Sequence, residues 1–266
     1  MVGAHRIVSS RQCSSIARTE SVPSERKLTE VARAIADPTD AAHANRTLPS
    51  DRGCSLSSSG SAKSAHCWAG IMTKSYHRLV KIVLASRSPR RSTLLRDAGY
   101  EIEVSPADID EHQFRNESPR TYVSRVAADK ATTVAQRYPE QIVIGADTVV
   151  VLNDVVFGKP VDRNEAVGML TQLSGTTHTV LTGVVVMCAS KVFSGVESTK
   201  VTFVDLTSDR IDWYVSMGES DDKAGAYAAQ GIGARLIERI DGSYTNVVGL
   251  PMALVDRFVR KFDQNI

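Results

Sequence analysis

The chain has 266 residues, a formal net charge of +2 from 32 basic and 30 acidic side chains, and 42% hydrophobic residues. That length can hold one sizeable α/β core, or two lobes around a cleft. No run of eighteen apolar residues occurs, which excludes a membrane-spanning helix, and the balanced charge gives no reason to expect a nucleic acid as partner.

The first 75 residues differ from the rest. They carry serine runs such as Ser57-Ser58-Ser59, scattered arginines and no sustained apolar period. Interspersed acids (Glu20, Glu25, Glu30) argue against an organelle-targeting peptide, and no signal-peptide core of 7–15 apolar residues is present. The expectation is that residues 1–75 are a disordered extension or a misassigned start, with Met72 as the true one, and that residues 76–266 form the folded domain. Of the four cysteines, Cys13, Cys54 and Cys67 fall in the first segment, and Cys188 reads as a small apolar filler. No CxxC pair suggests zinc, and a reducing, cytoplasmic setting fits best.

From Lys81 the pattern changes. Residues 81–85 read as a buried strand, broken by Ser86-Arg87-Ser88-Pro89, and residues 90–98 as a short helix closed by Gly99. A second strand covers 101–104. Ser118-Pro119 opens a long helix, the hydroxyl capping and proline in the first turn, where its missing N–H costs nothing. Its apolar stripe runs Tyr122, Val123, Val126, Ala127, Ala131, Val134 and Ala135. The β-branched run 141–152 predicts a strand that turns at Asn153-Asp154 into 155–157. A helix follows over 163–173. Two long strands, 179–188 and 196–203, are joined through 189–195. The chain then predicts a helix over 209–216 capped by Thr207 or Ser208, a strand over 235–240 and a closing helix over 251–261. Long hairpin strands among helices predict an α/β fold with a mixed twisted sheet flanked by helices.

Five segments carry residues suited to chemistry. Ser86-Arg87-Ser88-Pro89-Arg90-Arg91 lies between a strand and a helix, where backbone N–H groups and the helix dipole face an anion and arginines add fork-shaped donors. The glycines of a P-loop are absent, and a solvated helix start is the plainer alternative. Gly145-Ala146-Asp147-Thr148 sits inside an apolar strand, so Asp147 must be paired, hydrogen-bonded or on a metal. It would suit Mg2+ or Mn2+, or a water facing an α-phosphate; a structural carboxylate is the alternative. The acidic loop with Asp108, Asp110 and Glu111 gains meaning only if it faces Asp147. Lys130, near the helix stripe, and Lys159, in the turn Gly158-Lys159-Pro160, can neutralise phosphate charge or simply be solvated. In residues 221–231 small side chains permit close approach of a planar ligand, with Tyr227 offering a ring or hydroxyl and Gln230 an amide for a base edge; a tight helix–helix contact is the alternative. Residues 241–246 read as a polar turn. No histidine spacing, serine elbow or zincin helix supports other hydrolase classes.

Taken together these segments resemble the Maf/Ham1 superfamily, and within it the Maf proteins. The resemblance spans roughly Lys81 to Phe262. It rests on Leu84-Ala85-Ser86-Arg87-Ser88-Pro89-Arg90-Arg91, Glu117-Ser118-Pro119, Ala128-Asp129-Lys130-Ala131, Gly145-Ala146-Asp147-Thr148, Gly158-Lys159-Pro160, Leu173-Ser174-Gly175 and Asp222-Lys223-Ala224-Gly225-Ala226-Tyr227, in that order.

The resemblance implies a fold of two lobes around a central cleft, like the inosine triphosphate pyrophosphatases. It implies hydrolysis of nucleoside triphosphates to monophosphate and pyrophosphate, with a divalent cation (Mg2+ or Mn2+). Ser86, Arg90 and Arg91 match the residues that grip phosphate, and Lys130 and Lys159 the active-site lysines. Asp147 matches the catalytic, metal-associated aspartate, Asp110 a second acid at the metal, and Gln230 a binding glutamine. Arg87, Thr148 and Tyr227 are expected to line the substrate site. Arg87 departs from the small residue often found there. The Asp147-Thr148 pair, the 222–227 run, Gln230 and Gly242-Ser243-Tyr244 look like the branch acting on dTTP and UTP. A 7-methyl-GTP pyrophosphatase and a nucleotide-binding regulator of cell division are the alternatives. A homodimer is expected from the family.

Overall fold

The β-branched run that begins at Ile142 becomes the centre of a seven-stranded sheet. The computed structural model describes residues 81–263, so the extension expected at residues 1–75 lies outside the described residues. The elements are β1 (Lys81–Leu84), α1 (Pro89–Asp97), β2 (Glu101–Val104), α2 (Pro119–Ala135), β3 (Ile142–Leu152), β4 (Val155–Phe157), α3 (Arg163–Leu173), β5 (Thr177–Cys188), β6 (Lys191–Phe203), α4 (Ser208–Ser216), β7 (Ile237–Asp241), α5 (Tyr244–Val248) and α6 (Met252–Asp263). Two 3-10 turns, Ala224–Ala226 and Gly231–Leu236, separate α4 from β7. The strand order is β2-β1-β3-β5-β6-β7, with β4 also on β3. β2, β1 and β3 run parallel, and the other pairings are antiparallel. The sheet is mixed, as the long hairpin strands predicted.

β3 is longer than either partner on one of its edges. It pairs with β1 up to Ile144 and with β4 from Val150. Residues 145–149 therefore face no strand on that edge, while β5 covers the other edge throughout. This gap is where the cleft forms.

Alternation assigns the faces of β3. Odd-numbered residues turn toward α2, which also packs on β5. Even-numbered residues turn to the opposite face, where two apolar clusters lie side by side. One gathers Ile82, Leu84, Leu95, Ile142, Ile144 and Ala146 under α1 and α6. The other gathers Val150, Phe157, Leu170, Leu173, Phe203 and Tyr214 under α3 and α4. A polar seam separates them. Thr148 and Thr182 hydroxyls lie 2.9 Å apart, and the fully buried Asn246 amide donates to the Val180 carbonyl and the Thr199 hydroxyl, each at 3.0 Å. The two cores and the seam are the physical form of the expected lobes.

Capping follows the sequence. Ser118, Asp162 and Thr207 each accept a hydrogen bond from a first-turn N–H of the following helix. Three expectations change. β6 begins at Lys191 rather than 196, because Gly195 is no loop residue: α6 lies against it, and an added Cβ would meet Phe258 at 3.2 Å. The polar turn at 241–246 contains the start of α5, whose cap is Ser243. Residues 224–226 form a 3-10 turn with Gly225 at φ 69 against Val150, not a helix–helix contact. Among the described residues no helix is long and apolar enough to cross a membrane.

Candidate active site

The approach of α2 to the sheet depends on two glycines. A Cβ on Gly145 would meet the Ala127 carbonyl oxygen, Ala131 N at 2.7 Å and Ala131 Cβ at 2.8 Å. A Cβ on Gly183, the β5 partner of Asp147, would meet the Val123 carbonyl. With no side chains there, the helix sits directly on the strands. Lys130, one residue before Ala131, is thereby brought to Asp147, two residues after Gly145 on the same face.

Lys130 Nζ donates to Asp147 Oδ1 at 2.9 Å and to Glu111 Oε2 at 2.8 Å. Lys130 and Asp147 are both only 7% exposed. At that depth, deleting one partner strands a buried charge, a loss of about 3–5 kcal/mol. The cluster holds two carboxylates around one ammonium, so one negative charge is left over. The second oxygen of Asp147 takes no hydrogen bond among the described residues and belongs to a side chain that lines the cleft. No group of three or more His, Cys, Asp or Glu forms a cage for a metal among the described residues. Magnesium is commonly held by one or two carboxylates together with substrate phosphates, and this donor set fits that mode.

The lining of the same cavity is also cationic. α1 starts at Pro89, and Ser88 makes no side-chain cap, so its first-turn N–H groups are not taken up by a cap. Arg91 is buried and spends four donors on the protein. Nε reaches the Gly249 carbonyl at 2.8 Å, Nη1 reaches Ser86 Oγ at 3.0 Å and the Ala146 carbonyl at 2.8 Å, and Nη2 reaches Thr148 Oγ1 at 3.0 Å. Expected to grip phosphate, Arg91 bolts α1 to β3 and the α5 terminus while still lining the cavity. Thr148 is likewise tied into the seam. Arg90 makes no side-chain hydrogen bond among the described residues and lines the cavity. Burial pulls its guanidinium pKa down, opposed by the charge of Asp222. Lys159 is largely exposed, 3.8 Å from Asp222. Burial also lowers the Lys223 pKa, with the charge of Arg90 adding to it.

Ser86, Arg87, Arg90, Arg91, Lys130, Asp147, Thr148, Lys159, Tyr227 and Gln230 all line one cavity of about 820 Å³. One expected residue lies elsewhere, and another is more tied down than its sequence suggests. Asp110 is not among the lining residues. Its side chain is 82% exposed and accepts from the His112 backbone N–H, while its neighbour Glu111 reaches Lys130. Tyr227 does line the cavity, but its hydroxyl is 2.8 Å from His178 Nε2 and its ring packs edge-on against Phe203. Its hydroxyl is thus taken up by the protein, and burial drives its phenol pKa well up. Sequence reasoning also missed Tyr122, counted only as part of the α2 stripe. Its hydroxyl donates to the Glu111 carbonyl at 2.7 Å, and burial, then the charges of Asp147 and Glu111, push its pKa up to about 12. Helical spacing of eight residues from Lys130 was the signal that could have found it.

A family model for Maf-like proteins matches residues 81–262. The dTTP/UTP pyrophosphatase of Symbiobacterium thermophilum is 47% identical over 68% of this chain and 94% of its own length. That of Pyrococcus furiosus is 44% identical over 67% and 94%. Among solved structures, the Ham1 protein of Staphylococcus aureus has a TM-score of 0.42 at 10% identity, over 70% of this chain and 98% of its own, too distant to bear on the site. With the profile spanning the whole described fold and near-half identity over nearly the full length of such relatives, the chain belongs to the Maf family, in the branch that carries the dTTP/UTP pyrophosphatases.

Proposed function

We propose that this chain hydrolyses dTTP and UTP to the monophosphate and pyrophosphate. As a Maf protein it is an enzyme of the nucleoside triphosphate pyrophosphatase class. The observation that carries the reading is the shared lining of one cavity: the Glu111–Lys130–Asp147 cluster together with Arg90, Lys159 and the start of α1. Such a lining suits a triphosphate, with its anionic chain toward the cations. The cavity volume falls in the range that takes a nucleotide-sized ligand.

In this reading, water attacks the α-phosphorus, a new P–O bond forms, and the bridging bond to the β-phosphate breaks to release pyrophosphate. The second oxygen of Asp147 orients that water and takes its proton. Lys130 holds Asp147 and Glu111 at fixed separation. Arg90, Lys159 and the first-turn N–H groups of α1 offset the charge that grows on the phosphate oxygens. A Mg2+ or Mn2+ ion, held by Asp147 and Glu111 with the phosphates, would supply Lewis-acid polarisation of the α-phosphate. Gln230, exposed and lining the cavity, supplies in this reading the amide that reads a base edge.

Pyrophosphate release from dTTP, UTP, CTP and 7-methyl-GTP with either metal tests the proposal. Fastest release from dTTP and UTP is expected. Faster release from 7-methyl-GTP would overturn the base assignment. Binding without release would favour a nucleotide-binding regulator of cell division. Sedimentation and cell fractionation check the expected homodimer and cytoplasmic setting.

A further inference from the structure

Residues 111–117 hold no helix or strand yet are organised around a single side chain of α2. Arg125 Nε donates to Glu117 Oε1 at 2.7 Å and its Nη2 to Glu117 Oε2 at 2.9 Å, a two-pronged pair. Nη2 also donates to the His112 carbonyl at 2.8 Å. The Phe114 ring stacks on the guanidinium, 3.9 Å from Cζ to the ring centre, which accounts for an otherwise exposed phenylalanine. Glu117 closes the loop on itself, accepting from the Phe114 N–H at 3.0 Å, while its carbonyl accepts from Gln113 Nε2 at 2.9 Å. One turn earlier on α2, the Tyr122 hydroxyl holds the Glu111 carbonyl. An exposed ion pair contributes little. This pair is not exposed in that sense: the Arg125 and Glu117 side chains are 20% and 6% accessible.

The consequence lies at the end of the loop. Glu111 itself is half-exposed, and its only side-chain hydrogen bond among the described residues is to Lys130. Its backbone is held by the Tyr122 hydroxyl on one side and by the loop that follows it on the other. We propose that Arg125 is a positioning residue whose guanidinium clasps residues 112–117 and so delivers the Glu111 carboxylate to the Lys130–Asp147 pair. This rests on the catalytic reading of Glu111 above. An arginine suits the task where a lysine does not, because the planar fork meets both Glu117 oxygens and a carbonyl at once.

The test compares the full-length protein with Arg125→Met, Arg125→Lys, Glu111→Gln and the double variant Arg125→Met with Glu111→Gln, in two assays. Trypsin cleavage after Arg115, in the clasped loop, reads loop order without activity. Arg125→Met should be cut at least ~10-fold faster. Pyrophosphate release from dTTP reads delivery of Glu111. Arg125→Met should lower kcat about 10–100-fold with KM changed less than ~3-fold, the order expected for an ångström-scale misplacement. In the Glu111→Gln background the same substitution should cost no more than ~2-fold, because the group it positions is gone. Arg125→Lys should not restore either readout. Unchanged cleavage in Arg125→Met overturns the clasp. Losses that multiply in the double variant, or full recovery with lysine, overturn delivery through Glu111. If Glu111→Gln alone retains full turnover, the catalytic reading of Glu111 fails, while the trypsin arm still decides the clasp. Should Arg125→Met melt too low to assay, Glu117→Gln loosens the same contact from the loop side and carries the same expectations.

Discussion

Gly145→Ala is the most direct probe of how fold creates site. The new Cβ would stand 2.7 Å from Ala131 N and 2.8 Å from Ala131 Cβ, and closer still to the Ala127 carbonyl oxygen. Comfortable contacts lie at about 3.5–4.0 Å, so α2 must retreat by roughly 1 Å. These are backbone and Cβ atoms of a 17-residue helix, which cannot yield by a rotamer change. Overpacking of this kind costs about 1–3 kcal/mol, lowering the melting temperature by roughly 2–12 °C for a domain of this size. The functional cost is separate. Lys130 Nζ, 2.9 Å from Asp147, would be drawn off by a similar ångström, and a misplacement of that size costs on the order of 100-fold in turnover. Thermal unfolding and steady-state pyrophosphate release on one preparation measure both effects. Gly168→Ala on α3 is the control, since nothing lies within 4 Å of its Cβ, and it should leave turnover alone and stabilise by up to ~1 kcal/mol. Wild-type melting and turnover in Gly145→Ala would refute the idea that α2 needs this glycine to place its lysine.

Asp147→Asn should lower kcat at least ~100-fold, and near-normal turnover at saturating metal would remove it from the chemistry. Glu111→Gln should fall at least ~10-fold while Asp110→Asn stays within ~2-fold of wild type; the reverse order would restore the sequence assignment. His178, 1% exposed, has its pKa driven by burial from 6.5 to about 4, so the unfolded chain takes up its proton first as pH falls. Its contribution to stability is whole above pH ~6.5 and is lost between there and pH ~4, about 3 kcal/mol at the limit. Urea titrations across that window should show the slope, and His178→Gln should flatten it. Removing divalent metal with a chelator should abolish pyrophosphate release and restoring Mg2+ or Mn2+ should recover it; turnover unaffected by chelation would exclude a metal from the reaction.

Local signals were readable where a short segment determines its own structure. The caps at Ser118 and Thr207, the turn at Asn153-Asp154 and the β-branched core of β3 formed as expected. The strand boundary at 191 was not, because the glycine at 195 looks like a loop signal until α6 is seen lying on it. The site divides the same way. Asp147 stood out by chemistry alone, as a carboxylate in an apolar run.

What the sequence by itself determined is the set of chemical groups and their order along the chain, since an ionised side chain within a buried strand must find partners wherever the strand lies. Which acid answers Lys130, and whether a given arginine faces phosphate or protein, only the tertiary structure decided. Asp110 and Glu111 are adjacent and chemically alike, and a loop has no periodicity to say which points inward; contacts with Arg125 and Tyr122, from a helix further along the chain, select Glu111. Arg90 and Arg91 are likewise indistinguishable in one dimension; both line the cleft, but about 100° of helix rotation leaves one without side-chain hydrogen bonds among the described residues and ties the other into the seam.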